Sequence, residues 1–412
     1  MPRSSLAACL LAAVLSACGG DSTANGDSWA GSMTDSAGVT IVVNPETPIW
    51  SADEAWSTEE VLLIGEAAGD ADYQFGQIAG VGVTSDGRIL VLDQQAQRVQ
   101  VYGPDGVFQR SIGRPGNGPG EFGPAANALL VGRGDTVIVP DLANQRINIT
   151  PIDGEPASFP IQMEQGIPMR YDLMESGDIV AQRRALNLPN QDAVATDLIA
   201  TQAYDGTILD TLLTPKRGDS FTMTSDRPQF RIFAPEPVWT VLSGNRLAFA
   251  TNNAYRIEVF GPDGTLERIV TRPYEPMAVT EAHRRTLDGL IRAQFERGGV
   301  PPAQLDLLME GVSFEDMWPA FTQLRSGPDG TLWVQRVRYL GDLTDEELES
   351  FNPTLDQGSS KWDVFDFEGR NLGVIQLPDR FTPFTVEGDR NYGVYRDEFD
   401  VQYVKVLRII GA

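Results

Sequence analysis

The amino-acid sequence predicts an all-β fold, a six-bladed β-propeller closed by an N-terminal strand, and two recurring patterns in its 412 residues carry that prediction. A turn rich in Gly, Asp or Asn followed by a short strand occurs six times, at 85–93, 132–141, 175–183, 242–251, 327–336 and 387–396. A strand–turn–strand unit occurs five times, at 101–113, 149–161, 202–213, 259–270 and 364–375. Asp-Gly and Glu-Gly turns between alternating apolar runs are typical of β-hairpins.

The unequal numbers of the two patterns predict how the ring closes. After the sixth turn the chain runs through "VQYVKVLRII" and ends one strand short of a sixth four-stranded blade. An apolar strand near the start, Glu60–Gly65, belongs to none of the repeats. We therefore expect it to pair with Val401–Ile410 and complete the last blade, because closure covers the strand edges that a linear array would expose.

The glycine-rich stretch "RSIGRPGNGPGEFG" (110–123) could be a phosphate-binding loop or the junction between two blades. A phosphate loop leads from a strand into a helix. Here the chain continues into "GPAANALLVG", which has the character of a strand. The pattern favours the blade junction.

Residues 79–122, "AGVGVTSDGRILVLDQQAQRVQVYGPDGVFQRSIGRPGNGPGEF", resemble an NHL repeat. Asp93 with Arg98, and Asp141 with Arg146, match the structural Asp and Arg of that family. The resemblance is strong in the first blade, weaker in the second and fourth, and reduced to the turn rhythm elsewhere. It implies a six-bladed propeller in a family whose activities range from protein binding to hydrolysis and lyase chemistry, so the function has to be argued from the side chains.

Two insertions interrupt the repeat rhythm. A helical insertion is predicted over about 279–318, between blades four and five, with Thr280 as N-cap and Gly298 at the end of its first helix. Within blade five, Thr344 and Glu347 have the spacing of a capping box. Connections after the second strand of a blade and connections between blades leave a propeller at the same end. Both insertions should therefore cover one mouth of the channel.

The N-terminus has the character of a bacterial lipoprotein signal, predicted over 1–17, with Cys18 as the lipidated residue. An ordinary cleavage site with an accidental cysteine is the alternative. Residues 18–38 are expected to be a flexible tether and 39–412 the propeller, on an exported protein attached to a membrane by its N-terminal lipid. The periplasmic side or an outer membrane is the expected location.

Composition excludes several kinds of site. The net charge of −25 argues against binding nucleic acid. The only cysteines are Cys9 and Cys18, both in or beside the signal, and the only histidine is His283, so a Cys- or His-rich metal centre is excluded. We expect a monomer without a cofactor.

An anion-binding cluster is the leading candidate site. Aligned by their second strands, blades three, five and six each present an arginine at the same end, and two further arginines lie nearby. The candidate ligand-binding residues are Arg170, Arg183, Arg336, Arg338 and Arg396. Guanidinium groups bind carboxylates and other anions through paired hydrogen bonds. The alternative is that each arginine pairs with an acid within its own blade.

Two functions stay open at this point. The first is a binding module for a protein or an anionic extracellular ligand at the end covered by the insertions. The second is a propeller-type hydrolase or lyase, including a calcium-dependent lactonase, for which the inner strands offer Asn127 and Asp172 but no ring of acids. No Gly-x-Ser-x-Gly frame or defensible Ser–His–Asp set is present, which favours the binding module. Trp239, Trp318 and Phe321 are expected either to pack blades or to offer stacking surfaces for a sugar.

Overall fold

A computed structural model describes residues 29–185, 196–218, 220–223 and 228–412. The predicted signal at 1–17 and the lipidation site Cys18 lie outside the described residues. Three strands precede the repeats: β1 (Ser32–Ser36), β2 (Val39–Val43) and β3 (Ser57–Ile64).

The next twelve strands form three antiparallel four-stranded sheets, blades 1 to 3. Blade 1 consists of β4 (Ile78–Val83), β5 (Ile89–Asp93), β6 (Arg98–Tyr102) and β7 (Phe108–Ile112). Blade 2 consists of β8 (Leu130–Gly132), β9 (Thr136–Asp141), β10 (Arg146–Pro151) and β11 (Ala157–Pro160). Blade 3 consists of β12 (Ile167–Leu173), β13 (Ile179–Arg184), β14 (Asp197–Gln202) and β15 (Ile208–Leu213).

Insertions separate the remaining blades. They begin with β16 (Phe221–Met223) and β17 (Pro228–Ile232), ahead of blade 4 with β18 (Pro237–Leu242), β19 (Arg246–Thr251), β20 (Arg256–Phe260) and β21 (Leu266–Thr271). Next come α1 (Glu281–Arg297), α2 (Pro302–Met309) and β22 (Val312–Phe314). Blade 5 consists of β23 (Leu324–Ser326), β24 (Leu332–Val337), β25 (Gly358–Phe365) and β26 (Asn371–Gln376), with α3 (Asp345–Ser350) inserted after β24. Blade 6 consists of β27 (Phe381–Glu387), β28 (Arg390–Arg396), β29 (Gln402–Ile410) and the early strand β3.

Strand β3 lies antiparallel to β29 as the outermost strand of blade 6. Ile64 is opposite Val404, and Glu60 is opposite Leu407. Ile64 and Val404 also belong to the hydrophobic cluster between blades 6 and 1, which ties the beginning of the repeats to the end of the chain.

Hydrophobic clusters join each blade to the next around the ring. Between blades 3 and 4, for example, Val180 packs with Trp239 and Val241. Corresponding clusters lie at the junctions of blades 1 and 2, 2 and 3, 4 and 5, 5 and 6, and 6 and 1. Because every blade face is covered by a neighbour, the first strands β4, β8, β12, β18, β23 and β27 lie innermost and line a central channel. The all-β propeller prediction is confirmed.

The hairpin β1–β2 extends blade 4. Strand β2 runs parallel to β21, so this sheet has six strands. The sequence "VTIVV" of β2 buries Val42 against Ile257 and Val270, and Asn44 then bonds to the backbone of blade 5 through Asn371 and Gly369. Sequence analysis assigned residues up to 38 to the tether. Part of that range, Ser32–Ser36, is strand β1 because it pairs with the apolar β2.

Three insertions from different parts of the chain share one hydrophobic core and form a cap. The core of this cap contains residues such as Phe233, Leu287, Trp318 and Phe351, contributed by segments 228–233, 279–318 and 337–351.

Helix α1 starts after Thr280, whose hydroxyl accepts a hydrogen bond from the His283 backbone, and ends at Gly298. None of the described helices is long and apolar enough to span a membrane.

The two ends of the ring differ. The end that carries the connections between blades and those after each second strand holds the cap, and we call it the cap end. The turns between first and second strands, and between third and fourth strands, lie at the opposite end, the hairpin end. This division follows from the antiparallel order of strands within each blade.

Candidate functional site

The aspartates of the NHL-like motif hold the connections between blades in place. Asp93 accepts hydrogen bonds from the backbone N–H groups of Gly76, Gln77 and Ala96. Asp141 accepts one from the Gly123 backbone at 2.7 Å. Both carboxylates are buried and occupied by these bonds.

Arg183 is buried, and its guanidinium is occupied by polar groups of its own blade. Its Nη1 donates to the carbonyls of Gln162 at 3.0 Å and Gly166 at 3.2 Å, and its Nη2 donates to Oε1 of Gln202 at 2.6 Å. The Arg183 side chain therefore stabilises the connection that leads into blade 3.

Arg336, whose side chain is 39% exposed, belongs to a charged cluster around the buried Asp363 between blades 4 and 5. Its guanidinium lies 2.6 Å from Asp363 Oδ1, and Arg272 lies 2.7 Å from the same oxygen. The Tyr255 hydroxyl donates to Asp363 Oδ2 at 2.7 Å. Burial and the Asp363 carboxylate raise the pKa of Tyr255 well above its ordinary value, so this hydroxyl remains a proton donor.

The two remaining candidates at the cap end are paired as well. Arg338 lies 2.6 Å from Glu347, and Arg396 lies 3.2 Å from Asp400. Arg183, Arg336, Arg338 and Arg396 therefore each bond to groups of their own blade or of the connection that leads into it.

Arg170 differs from these four. It lies on the inner strand β12, and its guanidinium carbon is 4.7 Å from the centroid of the Trp239 ring in blade 4. Among the described residues its guanidinium has no hydrogen-bond or ion-pair partner. Surrounding protein lowers the pKa of Arg170 through desolvation, and Asp172 opposes that shift. The side chain is nonetheless partly accessible to solvent, as expected for a group that lines a channel.

A second arginine, Arg325 on β23, lies close enough to Arg170 to feel its charge. Desolvation first, and the charge of Arg170 second, lower the pKa of Arg325 to about 10. Its Nη1 donates to the carbonyl of Phe384 in blade 6 at 3.1 Å, and its buried Nε has no partner among the described residues. Sequence analysis missed Arg325, because it aligned the blades by their second strands and included a first-strand arginine, Arg170, from blade 3 only.

Asp172 is the acidic member of the channel group. Its Oδ2 accepts a hydrogen bond from the Val241 backbone at 3.0 Å, and its charge acts on both Arg170 and Arg325. Two guanidinium groups and one carboxylate give this group a formal charge of +1. An otherwise strongly acidic protein thus carries excess positive charge at its centre.

A cavity of about 550 Å³ lies at the hairpin end, where strands β12, β18, β23 and β27 finish. Three exposed acids contribute to its wall, Glu175, Asp329 and Glu387. Phe367, which is 66% exposed, adds an apolar surface. Ser326 of this wall directly follows Arg325, so the cavity lies at the end of the inner strand that carries Arg325.

A smaller cleft of about 310 Å³ lies at the cap end between the cap and blade 4. Phe233, Tyr274 and Trp318 are among its lining residues. Trp318 is only 2% exposed and packs against Phe233, with ring centroids 4.1 Å apart. Trp239 and Phe321 are fully buried. The packing roles expected of these aromatic residues account for their positions better than sugar-stacking roles do.

His283 serves the helix in which it lies. Its Nδ1 accepts a hydrogen bond from the Thr280 backbone at 3.3 Å, as part of the capping box of α1. In the part of the chain that the structure describes, no group of three or more His, Cys, Asp or Glu side chains is placed to hold a metal ion.

Comparison with known proteins bears on the fold. Residues 70–145 match a family described as a 6-bladed beta-propeller, DUF5128. No curated protein matches the chain in sequence. A Bacteroides fragilis protein described as exported has a TM-score of 0.50 and 11% identity, over 90% of this chain and 99% of its own.

Two enzymes with known structures are also similar in fold. Virginiamycin B lyase of Staphylococcus aureus, crystallised with quinupristin in an inactive form, has a TM-score of 0.43 and 12% identity over 86% of this chain and 100% of its own. A gluconolactonase of Xanthomonas campestris has a TM-score of 0.43 and 12% identity over 85% of this chain and 98% of its own. At such low identity, these two matches assign no activity to this chain.

Proposed function

We propose that this chain is an exported, lipid-anchored β-propeller of NHL-repeat type that binds a small anionic ligand in its central channel. The supporting observation is the Arg170 guanidinium, which protein surrounds but which has no hydrogen-bond or ion-pair partner among the described residues. A charged group that loses its hydration without gaining a partner is unfavourable. A bound anion would supply that partner.

The orientation of Arg170 suits this role. Its guanidinium carbon lies over the ring of Trp239, and this cation–π contact uses no carboxylate or carbonyl acceptor, so the N–H donors remain without an oxygen partner among the described residues. Those donors have the geometry that binds two oxygens of one carboxylate or phosphate. Arg325, on the inner strand of blade 5, adds a second positive charge and is held in place by its bond to Phe384.

The anchoring part of the proposal rests on the sequence. The apolar run that ends at Cys18 and the polar, glycine-rich residues after it have the character of a lipoprotein signal and tether. Such an anchor would keep the propeller beside a membrane while its channel stays open to dissolved ligands.

Ligand-induced stabilisation tests the anion site. The full chain is titrated with acetate, benzoate, sulfate and phosphate at constant ionic strength, and its melting temperature is measured. At least one anion should raise the melting temperature, because a ligand that binds only the folded state stabilises it in proportion to the logarithm of its concentration. The shift should vanish in Arg170→Leu, and the same titration followed chemically reports whether the ligand is consumed.

Arg396→Gln is the matched control, since Arg396 has an exposed acidic partner and stands on a second strand, whereas Arg170 and Arg325 stand on first strands. It should respond to anions like the unaltered protein. If no anion stabilises the unaltered protein, or if Arg170→Leu responds equally, the channel is not an anion site.

A further inference from the structure

The charges along the channel select one kind of anion. We propose that the ligand is a short peptide of two or three residues, bound with its C-terminal carboxylate at Arg170 and Arg325 and its N-terminal ammonium at the acidic cavity of the hairpin end. This inference rests on the proposed function and deepens it.

The formal charge of the channel group limits the negative charge of the ligand to about one. Arg170 and Arg325 carry two positive charges, and Asp172 already offsets one of them. A dianion would bring a second negative charge into a channel whose nearby mouth is also acidic. Like charges at such close range oppose binding, whereas a single carboxylate neutralises the group.

The hairpin-end cavity provides the complementary charge. Glu175, Asp329 and Glu387 line it, and no described lysine or arginine forms an ion pair with any of the three. Glu175 accepts one backbone hydrogen bond, from Gly244 at 3.2 Å. The cavity thus presents negative charge to a cationic group, and the exposed ring of Phe367 offers a surface for an apolar side chain.

The distance between the two charged regions sets the length of the ligand. Phe384, whose carbonyl accepts a hydrogen bond from Arg325, precedes the cavity acid Glu387 by three positions on β27. At about 3.3 Å per strand residue, the two regions lie roughly 10 Å apart. An extended peptide spans at most about 3.3–3.6 Å per residue, so two or three residues reach from one to the other. A free amino acid is too short to reach both.

Calorimetry with a graded series of ligands tests this length and polarity. Acetate, alanine, Ala-Ala and Ala-Ala-Ala are titrated into the full chain, followed by N-acetylated and C-amidated Ala-Ala-Ala. The free di- or tripeptide should bind most tightly. C-terminal amidation should abolish binding, because it removes the carboxylate. N-terminal acetylation should weaken binding about fivefold or more, because it removes the ammonium group that the cavity carboxylates bind.

A repeated tetrapeptide provides the matched control variant. Gly-Pro-Asp-Gly occurs at 103–106, 261–264 and 327–330, but only the last copy lines the cavity. Asp329→Asn and Glu387→Gln should weaken binding of the free tripeptide by a few-fold each and leave the acetylated tripeptide unaffected. Asp105→Asn should change neither.

The outcomes separate the two proposals. If acetate binds as tightly as the peptides, or if acetylation and Asp329→Asn have no effect, the peptide inference is wrong while the anion site stands. A dianion such as succinate binding more tightly than Ala-Ala would also overturn it. If neither acetate nor any peptide binds, the proposed function itself fails.

Discussion

The guanidinium of Arg170 lies over the ring of Trp239, 4.7 Å from its centroid, and this contact crosses the junction of blades 3 and 4. Trp239 is fully buried, and its indole N–H donates to Gln182 Oε1 at 2.8 Å. The ring is therefore a rigid support that holds a cation in the channel. Arg170 has this support but no counterion among the described residues. We therefore expect its removal to keep or raise the stability of the free protein and to weaken ligand binding.

Replacement of Arg170 by leucine should keep or raise the melting temperature of the free protein. The apolar side chain can still contact Trp239, and the unpaired charge is removed, which offsets the loss of the cation–π contact of about 0.5–2 kcal/mol. Scanning calorimetry without added anions measures the change. A clear fall in melting temperature would mean that Arg170 makes a stabilising contact and is not held for a ligand.

Anion affinity should depend on pH only under alkaline conditions. The pKa of Arg325 is lowered from 12.5 to about 10, so the folded protein loses this proton at a lower pH than the unfolded chain. The charged form of Arg325 therefore lowers the stability of the fold by its full amount below pH 10, and this effect decreases as the pH rises above 10. Binding of acetate should be constant from pH 7 to pH 9 and weaken near pH 10. Arg325→Gln should bind more weakly and lose this dependence, and an unchanged profile in that variant would contradict the assignment.

Truncation of Ile64 should destabilise the ring. Ile64 is 2% exposed on β3 and lies opposite Val404 of the last strand. Ile64→Ala should lower the free energy of unfolding by about 2–5 kcal/mol in denaturant titration. Leu63, on the same strand but 45% exposed, is the control, and Leu63→Ala should stay within about 0.5 kcal/mol of the unaltered protein. Equal effects at the two positions would show that β3 is not part of the cooperative unit.

Neutralisation of Asp363 should be far more harmful than neutralisation of an exposed acid. Asp363→Asn leaves Arg272 and Arg336 without their shared carboxylate, and loss of one member of a buried pair costs about 3–5 kcal/mol. Asp400→Asn removes the exposed partner of Arg396 and should cost less than about 1 kcal/mol. Comparable losses in urea unfolding would mean that the Asp363 cluster is better hydrated than its burial indicates.

The sequence by itself determined the features that depend on neighbouring residues. Turn composition and strand alternation identify the repeats, and the surplus early strand Glu60–Gly65 identifies the partner that the last blade lacks. The caps of α1 and α3 are also local, since Thr280 and Thr344 bond to backbone groups three residues away. The turn, strand and cap signals each lie within one short segment, whereas the closing pair follows from the number of strands in the repeats.

Only the tertiary structure decided which distant side chains share a site. Arg170 and Arg325 are separated by more than 150 positions, and they become neighbours because inner strands of different blades converge on one channel. In the same way β2 joins blade 4, and Arg272 shares Asp363 with Arg336, through contacts between separate sheets. Contacts across blades depend on the closed ring as a whole, because the segments that make them are far apart in the sequence and meet only when the blades pack.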